Sequence, residues 1–319
     1  MNRFHRNRIL AMLLFPLVAV EILSAAPADP RLLALVPPGT QLVAGESNRT
    51  PAKGPNGFLL MGRNTLIDRR DFISLAAVDV SMSIRQIIFA SGGSGPSTRG
   101  EHSILLSGHF DQAHIFRAAV ENGATVSEYK GFQVLVQHPF ERELGTFKDV
   151  RWLAVIDSSV ALFGTRFSVQ QELDRYVAGS AVDPSLMQKL SRLRSDDATW
   201  SIVETMDASD ELEHAFGSLD PGLANLIHDR DSFQFGIRYG SRVEVEYEVR
   251  VPSVAPAQSI TNSSAQSFVE ANRNGSSLWP RLDLAADRAP VHGVVKVATD
   301  KYAAWLAECT RTAVISSGK

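Results

Sequence analysis

The chain of 319 residues is 44% apolar and 21% charged, with 32 Lys and Arg against 35 Asp and Glu, a net charge of −3. That composition is ordinary for a globular protein able to fill a sizeable core, and its balance gives no support to a nucleic-acid partner. The single cysteine, Cys309, excludes an internal disulfide, so the fold must stand on its core even in an oxidising compartment.

Arg3, Arg6 and Arg8 precede the apolar run Ile9 to Val20, which Pro16 interrupts and Glu21 closes. This is the layout of a secretory signal peptide. A cut after Ala26 would put the disfavoured Pro27 next, whereas Ala26-Pro27-Ala28 ahead of Asp29 is a small-x-small site, so cleavage is expected after Ala28. An uncleaved anchor is the competing reading, but the run falls short of the roughly 20 apolar residues that a spanning helix needs. Residues 1–28 are thus read as a signal peptide, and the remainder as an exported chain, periplasmic or extracellular, without a membrane span. Removal takes away three Arg and one Glu, leaving 29 basic and 34 acidic residues, a net charge of −5. No cysteine stands near residue 28 to carry a lipid.

After the signal, Leu32 to Val36, Pro37-Pro38-Gly39 and Gln41 to Gly45 read as a turn into a first strand. Asn48 to Gly57 is a loop, Thr65 to Ala77 a helix, Arg85 to Ala90 a strand, and Ser91 to Gly100 a glycine- and serine-rich loop. Ser103 to Arg166 is the block around which the rest is arranged. Ile104 to Leu106 form an apolar strand, Asp111 caps a helix with Ile115, Phe116, Ala119 and Val120 on one stripe, and Asn122-Gly123 stops it. Two hairpins follow, Val126 to Tyr129 with Phe132 to Val136 through Lys130-Gly131, and Trp152 to Ile156 with Val160 to Gly164.

Ser168 to Val177 then reads as a helix facing inward with Val169, Leu173, Tyr176 and Val177, and Asp183-Pro184 opens another with Leu186, Leu190 and Leu193. Trp200 to Val203 is a strand, and Asp207 starts a helix through Leu212 and Phe216. Phe233 to Tyr239 and Arg242 to Val251 make the clearest hairpin. Val243, Val245, Tyr247, Val249 and Val251 alternate with Glu244, Glu246, Glu248 and Arg250, so one face is buried and one wet. Beyond the linker Pro252 to Ala257, Ser264 to Ala271 is a short helix and Arg273 to Pro290 is irregular. Val294 to Val297 is a last strand, and Asp300 caps a final helix carrying Tyr302, Trp305, Leu306 and a buried Cys309.

These elements predict an α+β fold of antiparallel hairpins and meanders with helices packed on one face. Asp111 with Phe116 and Val120, Asp207 with Leu212 and Phe216, and Asp300 with Trp305 and Cys309 share one spacing. The first two are read as the starts of two related halves, 29–180 and 181–319, with 103–178 corresponding to 199–305, although any capped amphipathic helix gives such spacing.

Pro37-Pro38-Gly39 before a strand, Gly108-His109-Phe110-Asp111 opening a helix, Tyr129-Lys130-Gly131 in a hairpin and Trp152 to Gly164 ahead of a helix together resemble a group of exported bacterial proteins, mainly acidobacterial, of unassigned function. The resemblance spans most of the chain after residue 28. It implies export and an α+β fold, and brings no known active site.

No stretch holds a specific catalytic or metal motif. His109, Asp111 and His114, with His102 upstream, are the densest set of potential metal ligands. The two histidines stand five apart across a strand-to-helix joint instead of four apart on one helix face, and Asp111 is needed as a cap. Gly92 to Gly100 lacks a phosphate-loop ending and leads into a strand, and Ser94 lacks the final glycine of a nucleophile elbow. Glu244, Glu246 and Glu248 could gather cations, or form a solvated face spaced by basic neighbours on adjacent strands. Asn48, Asn262 and Asn274 begin glycosylation sequons. The sequence names no cofactor. It points to a non-enzymatic exported protein that binds an envelope or extracellular protein. A hydrolase around His109, Asp111 and His114 and a carrier of small apolar ligands are the alternatives.

Overall fold

Twelve antiparallel strands form one sheet among the residues that the computed structural model describes, which are 28–47, 83–92, 102–137, 141–142, 145–146, 150–204, 232–250, 282–285 and 291–304. In chain order the elements are α1 (Pro30–Leu35), β1 (Leu42–Ser47), β2 (Ile84–Ser91), β3 (His102–Gly108), α2 (Gln112–Glu121), β4 (Thr125–Tyr129) and β5 (Phe132–Gln137). The short pair β6 (Glu141–Arg142) and β7 (Gly145–Thr146) stands apart from the main sheet. Then come β8 (Arg151–Asp157), β9 (Val160–Thr165), α3 (Arg166–Val177), α4 (Pro184–Leu190), β10 (Thr199–Val203), β11 (Ser232–Tyr239), β12 (Val243–Arg250), β13 (Leu282–Ala285) and β14 (Val291–Val297), followed by a helix from residue 299. The order across the main sheet is β13-β14-β12-β11-β10-β1-β2-β3-β9-β8-β5-β4.

The local signals act as expected in the central block. Asp111 accepts the His114 N–H at 3.0 Å and so caps α2. Gly123 takes φ +89° at its end, and the Ala124 N–H returns to the Ala119 carbonyl. Lys130 and Gly131 both have positive φ, +49° and +84°, the signature of the two-residue turn whose twist matches its strands. Gly131→Ala is expected to cost about 1–2 kcal/mol, because a Cβ is strained in that backbone conformation. An unchanged urea midpoint would remove this account of the turn.

Several local expectations are corrected. Val120 of α2 and Tyr176 and Val177 of α3, expected on inward faces, are exposed, because each lies at the edge of its helix's apolar stripe near the last turn. Residues 30–35 form a helix, since Asp29 accepts the Arg31 N–H and Pro30 opens the first turn. Leu282–Ala285 is a strand inside the stretch expected to be irregular, paired with β14. Asp300 lies within the first turn of the last helix, where Ala298 receives the Tyr302 N–H. The helices expected over 65–77, after Asp207 and over 264–271, the loops 48–57 and 93–100, and Cys309 lie outside the described residues, as does the signal peptide up to residue 27.

Both faces of the sheet are buried through its middle. On one face Val43, Ile88, Leu105, Val134, Ala154 and Leu162 pack with Leu32 and Leu33 of α1, Val169 and Leu173 of α3, and Leu186 and Leu190 of α4. On the other, the neighbours Ala44, Phe89, Ile104, Leu135, Leu153 and Phe163 pack with Ile115 and Ala119 of α2. The expectation of helices on one face alone is therefore replaced by a sheet with α2 opposite α1, α3 and α4. The physical cause is the continuous apolar runs in β2, β3, β8 and β9, which would put half their side chains in water if one face were open.

The two expected halves also differ in strand order. After α2 the chain crosses to the far edge at β4 and returns through β5 and β8 to place β9 beside β3, whereas β11 pairs directly with β10. Strand order therefore gives no correspondence between 103–178 and 199–305. The boundary expected at residue 180 falls between α3 and α4, and the sheet continues across it through the pairing of β1 with β10.

Candidate functional site

Among the described residues the helix layer over the first face stops at α4, and beyond it the same face of β11, β12 and β14 carries charge. Alternation dictates this. Val243, Val245, Tyr247 and Val249 are buried on one side of β12, so Glu244, Glu246 and Glu248 project on the other. The register sets Arg238, Gly236 and Gln234 of β11 opposite these glutamates, and Lys296 and His292 of β14 beside Glu244 and Glu248.

The expected basic neighbours are thus present and engaged. Arg238 donates to Glu246 at 3.1 Å and also pairs with Glu244, which Lys296 meets at 3.2 Å. Glu248 receives Arg192 at 3.0 Å, Arg250 at 3.4 Å and His292 at 3.5 Å. Burial would raise the Glu244 carboxyl, but hydrogen bonds from Arg238 and Lys296 hold it below its usual range. For Arg238, burial works against the charge, and the bonds to Glu244 and Glu246 hold the guanidinium above its ordinary value.

Asp197, in the α4–β10 connection, closes this arrangement. Its carboxylate accepts the Arg194 backbone N–H at 3.0 Å and Arg238 at 3.1 Å, with its side chain 2% exposed. It lies directly over Gly236, where any Cβ would overlap it. Burial pushes the Asp197 carboxyl up to about 6, against the lowering effect of the Arg194 N–H and Arg238. Beside it, Arg192, Arg194, Asp197, Gln234, Glu246 and Glu248 line a half-open cleft of about 130 Å³.

The residues expected to gather near His109 are dispersed. His109 is exposed just after β3, with its N–H donating to the Ser83 carbonyl at 2.7 Å. Asp111 is spent on the α2 cap, and His114 is exposed. His102 is buried against Phe89 at the opposite end of β3, roughly 20 Å away by strand rise. Among the described residues no group of three His, Cys, Asp or Glu is arranged to hold a metal ion. Ser94, Arg99 and the three sequon asparagines lie outside the described residues.

One buried acid escapes a strand-by-strand reading. Glu172 of α3 is fully buried and receives a hydrogen bond from Ser103 of β3. The signal was available, because position 172 falls on the inward stripe with Val169 and Leu173, where a charge is out of place. With Ser103 also sealed from solvent, the pair cannot meet a substrate.

No protein-family model matches the chain, and no curated protein matches it. A solved structure described as "Structure of crystal form I of TP0453" is similar over 88% of this chain and 98% of that one, at 8% identity and a TM-score of 0.45. So distant a likeness carries no function across. No described helix is long and apolar enough to cross a membrane.

Proposed function

We propose that the chain is an exported protein that works by binding, not by catalysis, and that it meets an envelope or extracellular protein through the charged face of β11, β12 and β14. The observation that carries this reading is the step where, among the described residues, the helix layer ends and charged side chains begin. Through the middle of the sheet both faces are taken up by core, while this face presents fixed charges of both signs to solvent. Opposed charges in a set geometry favour orientation and selectivity over raw affinity.

Export is supported by the residues before Asp29. Cleavage after Ala28 would leave an α-ammonium on Asp29, whose N–H now donates to Gln86 Oε1 at 2.5 Å, so the new terminus keeps its acceptor. The resemblance to exported bacterial proteins agrees with that reading. Among the described residues His109, Asp111 and His114 do not converge, which gives the hydrolase alternative no support.

Two measurements test this. N-terminal sequencing of protein from the periplasmic or secreted fraction should begin at Asp29, and a sequence beginning at Met1 would refute cleavage. A protein captured by the wild-type chain should be lost when Glu246→Lys and Lys296→Glu are combined. Equal capture by both chains would refute this face as the contact.

A further inference from the structure

We propose that the cleft beside Asp197 is a binding site for a free α-amino acid held as its zwitterion. This goes beyond a protein partner but rests on the reading of the chain as a binding protein. The first ground is an amide that opens on the cleft. Gln234 is 7% exposed and lines the cleft, yet its side-chain amide has no hydrogen-bond partner among the described residues. Its amide oxygen and nitrogen are not sealed from solvent, so they offer the cleft one acceptor and two donors that a ligand can take over from water.

The second ground is which charges remain uncommitted. Glu248 accepts Arg192 and Arg250 on Oε1, with His292 3.5 Å from Oε2, and Asp197 accepts from Arg194 and Arg238. Glu246 takes Arg238 on Oε2, which leaves Oε1 free to accept. Arg192 uses Nη1 on Glu248 and Arg194 uses Nε on Asp196, so each guanidinium keeps N–H groups that can still donate. One acceptor carboxylate oxygen, free guanidinium donors and a donor-acceptor amide thus surround one small space.

Those groups select the ligand class. A lone anion would face Glu246, Glu248 and Asp197, and a lone cation would face both arginines. A molecule carrying an ammonium and a carboxylate satisfies both signs, with Gln234 bridging to either. A cleft of about 130 Å³ admits a small molecule and excludes a folded chain.

Calorimetric titration of the chain beginning at Asp29 with glycine, L-alanine, L-glutamate and L-lysine tests the site, with acetate and methylammonium as single-charge probes. At least one amino acid should bind, with both single-charge probes weaker by about a hundredfold. Glu246→Gln, at a position 39% exposed where the fold tolerates change, should weaken binding about tenfold, and Gln234→Met should do the same at conserved volume. No heat from any of the four amino acids, acetate binding as tightly as they do, or both variants binding unchanged would overturn the proposal. If amino acids fail while a protein is still captured through the charged face, the ligand assignment falls and the binding reading stands. If they bind and nothing is captured, the protein partner falls instead.

Discussion

Trp200→Ala is expected to lower the unfolding free energy by about 3–5 kcal/mol, the range for emptying a fully buried aromatic site. Trp200 is 0% exposed in β10, at the centre of the sheet, and packs in the cluster that α1, α3 and α4 cover. Its ring leans across β1 onto Gly45, its direct partner in register, where a Cβ would collide with the indole. Gly45→Val should therefore destabilise as well, by overpacking, at about 1–3 kcal/mol. The two changes must couple. With the indole gone, valine at 45 has room and refills part of the space, so the double variant should be more stable than the sum of the single losses by about 1 kcal/mol or more. Urea denaturation of all four chains measures this, and strict additivity would mean that the ring does not rest on Gly45.

How far such contacts can be read from sequence depends on their range. The alternation from Val243 to Arg250 fixes its own strand, its buried side and its charged side, because a period of two is a local property. It says nothing about other strands. Ile104 to Leu106, Trp152 to Val155 and Val160 to Phe163 are unbroken apolar runs, a pattern that a strand buried on both faces requires. Read for themselves, they predict the second covered face that α2 supplies. The six residues of α1 are too few for helical periodicity to register, and its legible signal is the Asp29-Pro30 start alone.

The candidate site divides along the same line. Glu244, Glu246 and Glu248 stand out in the sequence, and partners on adjacent strands follow from the hairpin turn for Arg238 and from pairing with β14 for Lys296. Asp197 does not stand out. It sits in a connection, and its partner Arg238 is 41 residues further on, so only the tertiary fold brings the carboxylate over Gly236. Nothing in the local pattern distinguishes Asp197 from Asp196, which is exposed and pairs with Arg194 at the surface.

Glu172→Gln should make the chain more stable than wild type above neutral pH while leaving it nearly unchanged in acid. Burial pushes the Glu172 carboxyl up to about 8 from an ordinary 4.5, only partly offset by the hydrogen bond from Ser103. Its second oxygen, Oε2, has no partner among the described residues. In that interval the folded chain keeps a proton that the unfolded chain has released, so stability falls as pH rises, at roughly 1.4 kcal/mol per pH unit. The contribution of the neutral carboxyl is complete below 4.5 and is lost through the folded value near 8. Glutamine has the shape of the protonated acid and cannot ionise, so the Ser103 bond survives and the pH dependence does not. Between about pH 6 and about pH 8 the difference between the two chains should open in favour of the variant by roughly 2–3 kcal/mol. Comparing the pair cancels every other titrating group common to both. Glu172→Ala separates charge from packing, since its cavity should cost about 2–5 kcal/mol at every pH while its profile runs parallel to that of glutamine. Wild-type and Glu172→Gln curves running parallel from pH 6 to pH 8 would show that the carboxyl ionises as an ordinary glutamate, with water or a cation reaching it inside the fold.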